Sequence, residues 1–113
     1  MASPIRIISS MATKQVLADL IALYQQAHPG TVIELESVGG VDAAKRVQAG
    51  EAFDIVALAA NAVGQLTTDG KVVAGSQVDV VRSGVALAVR SGAPRPDIAS
   101  EAAVKQAVLA APT

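Results

Sequence analysis

The chain has no cysteine and only two aromatic residues, Tyr24 and Phe53. Without cysteine, disulfides, thiolate chemistry and cysteine-based zinc sites are excluded. Sugar sites and single-stranded nucleic-acid sites rest on aromatic platforms, and two rings supply few of them. An excess of basic charge is also missing. The net charge is −1 and the pI is about 5.7, so no basic surface points to nucleic acid. There is one histidine, His28, just before Pro29-Gly30. It reads as a helix C-terminal residue interacting with the helix dipole, and no second histidine supports a metal site. No metal and no cofactor are expected. No apolar run reaches the ~18 residues that span a membrane, and no basic-then-apolar leader opens the chain. The first strand begins almost at Met1, so either the protein stays in the cytoplasm or Met1-Ala2 has replaced a leader.

What is present is an aliphatic chain. Hydrophobic residues make up 51% of 113 residues, mostly Ala, Val, Leu and Ile. A packed fold follows rather than disorder. One domain, residues 1–113, is expected, burying roughly 65% of its unfolded surface.

Periodicity orders the elements. "IRIIS", Ile5 to Ser9, is β-branched and reads as a strand. A helix follows in "ATKQVLADLIALYQQAHPG", where Val16, Leu17, Leu20, Ile21, Leu23, Tyr24 and Ala27 recur at helical spacing. Thr13 is its candidate cap, and Pro29-Gly30 ends it. "TVIELES" is a second strand and "VDAAKRVQAG" a short helix ending at Gly50. "DIVALA", Asp54 to Ala59, is apolar enough for a strand buried on both faces. A helix from Asn61 ends at Gly70, and Gly84 to Arg90 makes a fourth strand. The last helix is capped by Ser100, with Glu101 in its first turn. Strand and helix alternate, which predicts an α/β fold with a mainly parallel sheet flanked by helices.

Ligands of open α/β sheets sit outside the carboxyl ends of the strands. Three strand-to-helix junctions qualify: Ser9 to Lys14, Ser37 to Asp42, and Ala59 to Ala62. Each offers free backbone N–H groups at a helix N-terminus, where the dipole favours an anion. The candidate ligand-binding residues are Ser9, Ser10, Thr13, Ser37, Gly39, Gly40 and Asn61, and Lys14 supplies a neutralising cation. Helix-start Ser and Thr are also ordinary caps, so both readings stand for each hydroxyl. No catalytic set appears. His28 lies at the wrong end of its helix, and "GGVDAAKR" lacks the Walker spacing. Asp42 and Asp54 read as local caps or surface charges, and Lys45 and Arg46 as a solvated helix face.

Two stretches carry a family resemblance: "IRIISSMATKQVLADLIALYQQAHPG" and "VQAGEAFDIVALAANAVGQLTTDGKVVAGSQVDVVRSGVALAVRSGAPRPDI". Together they resemble the start of the solute-binding proteins of ABC importers, nearest the molybdate-binding branch. The matching features are Ala49-Gly50, Asp54, Gly70 with Val72-Val73, Gly75-Ser76 and Ser91-Gly92-Ala93-Pro94. The resemblance implies one lobe of a type 2 periplasmic-binding-protein-like fold that closes on a ligand. It implies a binder rather than an enzyme, a periplasmic location and a permease as acceptor. In the molybdate branch a serine in the first turn and another in the second loop hold the oxyanion. Here Ala12 stands opposite the first, with Ser10 and Thr13 beside it. Gly39, Gly40 and Val41 stand opposite the second, and Ala60 replaces an Asp at the third junction. These departures point away from molybdate, toward an oxyanion or small carboxylate held by backbone N–H groups. The sequence covers roughly half of the family pattern, so a fragment or a truncated homologue is expected. The expected partners are then a small anion and either a second copy or a complementary lobe. Two alternatives remain: a cytosolic sensory or enzymatic use of the same fold, and an α/β interaction domain without a small ligand.

Overall fold

A computed structural model describes residues 3–112; Met1 and Ala2, on which the start-site expectation rests, and Thr113 lie outside it. The described chain divides into two compact units, one running to Val80 and the other starting at Val81.

The first unit holds strand β1 (Ile5–Ser10), a 3-10 turn (Met11–Thr13), helix α1 (Lys14–Ala27), strand β2 (Ile33–Val38), helix α2 (Gly40–Gln48), strand β3 (Ile55–Ala57) and helix α3 (Ala60–Thr68). The strands form one parallel sheet in the order β2-β1-β3. Ile5 pairs with Ile33 and Ser9 with Ser37 on one side, and Ser9 with Ala57 on the other. Parallel strands need crossovers, which α1 and α2 supply. The chain steps from β1 outward to β2, then back past β1 to β3. Right-handed crossovers in opposite directions put α1 and α2 on opposite faces.

The core is built around β1. Successive strand residues point to opposite faces, and both Ile8 and Ser9 are 0% exposed. Ile8 packs with Ala43 and Val47 of α2 and Leu66 of α3, and Val38, Phe53, Val56, Leu58 and Val72 close around this cluster. Each such aliphatic side chain contributes roughly 1.5–3 kcal/mol when fully buried. Gly50 and Gly70, at φ 89° and 72°, follow the ends of α2 and α3 in the left-handed region that glycine enters without strain.

Three expectations change. β3 is shorter than Asp54 to Ala59 and is not buried on both faces, since Ile55 is 49% exposed. It is an edge strand, and Asp54 serves as its anchor instead. The Asp54 N–H donates to the Arg6 carbonyl at 2.8 Å, and its Oδ2 accepts from the Arg6 N–H at 2.8 Å. Residues 84–90, expected as a fourth strand, carry no ladder among the described residues. β-branched residues favour extended backbone, but a strand exists only where N–H and C=O groups find a neighbouring strand. Thr13 does not cap α1: its backbone sits at φ −104°, ψ 6°, and its side chain makes no capping bond.

In the second unit helix α4 (Glu101–Ala110) starts as its sequence predicts, with Ser100 Oγ accepting from the Ala103 N–H at 3.1 Å. A shallow groove of about 280 Å³ lies in this unit between residues 87–89 and α4. No helix among the described residues is long and apolar enough to cross a membrane.

Candidate functional site

Because the sheet is parallel, the carboxyl ends of β1, β2 and β3 lie along one edge. All three strand-to-helix junctions therefore line up there. With β1 central, the chain reverses direction between β1 and β3, the position where open α/β sheets open a crevice.

The helix starts on this edge have an unusual feature in common: none has a side-chain cap. Gly39 precedes α2 and Ala59 precedes α3, and Ser10 and Thr13 at the first junction make no capping bond. The first intrahelical bonds are Ala43 N–H to Gly39 O in α2 and Val63 N–H to Ala59 O in α3, at 2.9 and 3.0 Å. The N–H groups of residues 40–42 and 60–62 come before those bonds and are left for another acceptor.

Gly39 and Gly40 do not need glycine's conformational freedom. Gly39 sits at φ −53°, ψ 142°, which any residue adopts, and Gly40 is not in the left-handed region. What they provide is space. A Cβ at Gly40 would meet Ser10 Cβ at 3.8 Å, so the backbone of α2 comes close beside the first junction. A Cβ at Gly39 would meet Asp42 Oδ2 at 3.6 Å. Asp42 thus sets a negative charge in the first turn of α2, while Lys14 opens α1 with a positive one.

The hydroxyls differ in their availability. Ser9 is fully buried, and its Oγ lies 2.7 Å from Ser37 Oγ and donates to the Ser10 carbonyl at 3.0 Å. Ser10 and Ser37 are half-buried. Thr13 Oγ1 is buried without any hydrogen-bond partner. Asn61 is exposed in the first turn of α3. The structure thus brings Ser10 and Gly40 into proximity, pairs Ser9 with Ser37, and sets Asn61 at the third junction on the same edge. Ser9 and Ser37 are each one residue before the end of their strand, and the register sets the two side by side.

The strongest cations are committed elsewhere. Arg46 pairs with both Glu36 and Glu51, and its guanidinium lies 5.4 Å from the Phe53 ring centre. Arg6 lies over the same ring at 4.6 Å and donates to the Ala52 carbonyl at 2.7 Å. Hydrogen bonds to Glu51, then Glu36, raise the Arg46 pKa, and the bond from Arg46 holds the Glu51 carboxyl below its ordinary range. Arg46 is therefore an ion-paired residue rather than part of a freely solvated face. Hydrogen bonds from Gln48, then Gln65, hold Asp69 low in the same way. His28 sits at the far end of α1, stacked on Tyr24 at 4.2 Å, with Nδ1 3.2 Å from the Tyr24 carbonyl.

Comparison with known proteins agrees with this architecture. One relative, an aconitate isomerase from Pseudomonas sp, is 41% identical over 61 residues. That stretch is 54% of this chain and 23% of the relative, so the match spans less than a quarter of that protein's length. No solved structure matches the chain. The family profile described as bacterial extracellular solute-binding protein matches residues 5–112, nearly the whole sequence. The chain belongs to the family of bacterial extracellular solute-binding proteins.

Proposed function

We propose that the chain binds a small anionic solute, an oxyanion or small carboxylate, along the carboxyl edge of β1, β2 and β3. It does so as the substrate-binding component of an ABC-type importer or a homologue of one, and not as an enzyme. One observation carries this reading: three helix N-termini open on one sheet edge and none is closed by its own side chain. Such termini carry partial positive charge and free donors, the chemistry that an anion takes up. The glycines at α2 support it, since their backbone angles do not require glycine and their lack of side chain lets a ligand approach. The binder resembles the molybdate-type branch, with backbone donors in place of that branch's serines. Ser10, Thr13, Ser37, Gly39, Gly40 and Asn61 are the residues proposed to line the site, and a permease is the proposed acceptor.

The test is a thermal-shift screen followed by calorimetry, using sulfate, inorganic phosphate, molybdate, citrate and trans-aconitate. A probe present at 100 times its Kd stabilises the protein by ~2.7 kcal/mol. No shift with any of them at millimolar concentration counts against the reading.

A second reading is favoured by the relative's name. In it the chain acts on aconitate, a small tricarboxylate that would occupy the same donors. Proton NMR of cis- and trans-aconitate incubated with the protein separates the two. Interconversion above the blank supports an isomerase, and binding without turnover supports a carrier.

A further inference from the structure

The three junctions on the carboxyl edge contain two charged residues, Lys14 and Asp42. Both side chains are exposed. The ion pairs among the described residues join Arg6 and Arg46 to Glu36 and Glu51, so the chain neutralises neither Lys14 nor Asp42.

Lys14 breaks a local rule. It is the first residue of α1, and the first turn of that helix holds no acid. A cation there meets the positive end of the helix dipole and is disfavoured. Proteins make such breaches chiefly at functional sites. The residue before it adds a second, independent signal. Thr13 is half-buried, yet its Oγ1 is covered and has no hydrogen-bond partner. Nearly all covered polar groups have one, and an orphan marks a place for a ligand or solvent oxygen. An anionic group at the start of α1 answers both signals.

Asp42 asks for the opposite chemistry. A Cβ at Gly39 would meet its Oδ2 at 3.6 Å, so the carboxylate leans back over the start of α2. Asp in a first turn is ordinary by itself, but here it flanks the free N–H groups of residues 40–42. A fully ionised group is repelled by it at short range. A hydroxyl or ammonium is attracted instead, through a charge-assisted hydrogen bond. The first two junctions are neighbours, since a Cβ at Gly40 would meet Ser10 Cβ at 3.8 Å.

We propose that the site takes a small anionic carboxylate that also carries a hydrogen-bond donor, a hydroxy or amino acid. Lys14 and Thr13 take the carboxylate, and Asp42 takes the donor. This rests on the anion reading above and narrows it, because sulfate and molybdate lack the donor.

The test is calorimetry on the full chain with three four-carbon dicarboxylates: succinate without a donor, malate with a hydroxyl and aspartate with an ammonium. The parent binds malate or aspartate roughly tenfold tighter than succinate, the size of one charge-assisted hydrogen bond. The tighter of the two identifies the donor. Asp42→Ala brings the preference to within about twofold, whereas a merely structural Asp42 would change all three affinities together. Asp42→Asn keeps an acceptor without the charge, so it retains a preference for malate and loses one for aspartate. Lys14→Gln weakens all three probes by about tenfold and leaves their ratios unchanged. Succinate binding as tightly as the other two in the parent overturns the proposal. So does a preference that survives in Asp42→Ala, or parent-like affinity in Lys14→Gln. If Asp42→Ala fails to fold, Asp42→Asn carries the test, and an undiminished preference for both malate and aspartate there overturns it. A parent that binds phosphate but none of the three overturns only this narrowing. A parent that binds neither phosphate nor any of the three defeats the anion reading with it.

Discussion

Helix α4 and helices α2 and α3 begin in opposite ways. α4 opens with Ser100, whose hydroxyl accepts from Ala103, and Glu101 follows in its first turn. It satisfies one of its own first-turn N–H groups. α2 opens with Gly39 and α3 with Ala59, and no side chain caps either. A cap is worth typically ~1 kcal/mol, so the sheet-edge helices forgo stability that α4 keeps. The difference follows position: the uncapped starts are those at the carboxyl ends of paired strands. In the binding proposed above, those open donors are the ones the solute takes up.

The largest change comes from cutting away what holds the open helices. Ile8 is fully buried against α2 and α3. Ile8→Ala costs about 2–5 kcal/mol in a urea denaturation series. A loss below 1 kcal/mol means that the sheet and its helices are not packed as described. Next is the glycine at α2. Gly40→Val puts a branched side chain beside Ser10 and abolishes probe binding in calorimetry. Its effect on stability stays within about 1 kcal/mol, since glycine is the poorer helix former. Retained affinity would make the loop a corner and nothing more.

The comparison itself can be inverted. Ala59→Ser gives α3 the cap that α4 has, adding about 1 kcal/mol of stability while weakening the probe. Ser100→Ala removes about 1 kcal/mol from α4 and leaves the affinity as it was. If Ala59→Ser binds as tightly as the parent, the start of α3 is outside the site.

The smallest effect lies toward the amino ends of the strands, in the Arg46 cluster. Glu51 is held below its ordinary value of 4.5 by the bond from Arg46. A carboxyl with a depressed folded-state pKa contributes stability above its unfolded value and loses it as pH falls through the folded one. Denaturation midpoints should therefore decline below about pH 4.5, and Glu51→Gln should flatten that decline. An unchanged slope would show that the pair contributes nothing measurable, as many exposed ion pairs do.

Much of this architecture was legible in the sequence, and the limits have physical causes. The β-branched run Ile5–Ser9, the α1 pattern, "TVIELES" and the Gly50 and Gly70 stops identify the elements, because local propensity, periodicity and turn chemistry act within a few residues. The aliphatic segment 84–90 forms no strand among the described residues, since strand propensity does not supply a hydrogen-bonding neighbour. β3 was read as doubly buried because an apolar run carries no information on whether its strand is an edge. At the site, Gly39 and Gly40 were identifiable as small, but only their backbone angles separate space from flexibility. Ser9 looked like a ligand residue. Its withdrawal behind Ser37 depends on register, which a single strand does not encode.

The central place of β1 also governs when the site comes into being. Ser9 meets its hydroxyl partner 28 residues later, and Arg6 is locked to Asp54 across 48. β1 gains its neighbour β2 once residue 38 has been made, but lacks β3 until residue 57. Contacts at such separation form late and slowly. Uptake of the proposed solute would then report on completed folding: a chain halted before residue 57 has the residues of the first two junctions, but not the β3 strand that completes the sheet.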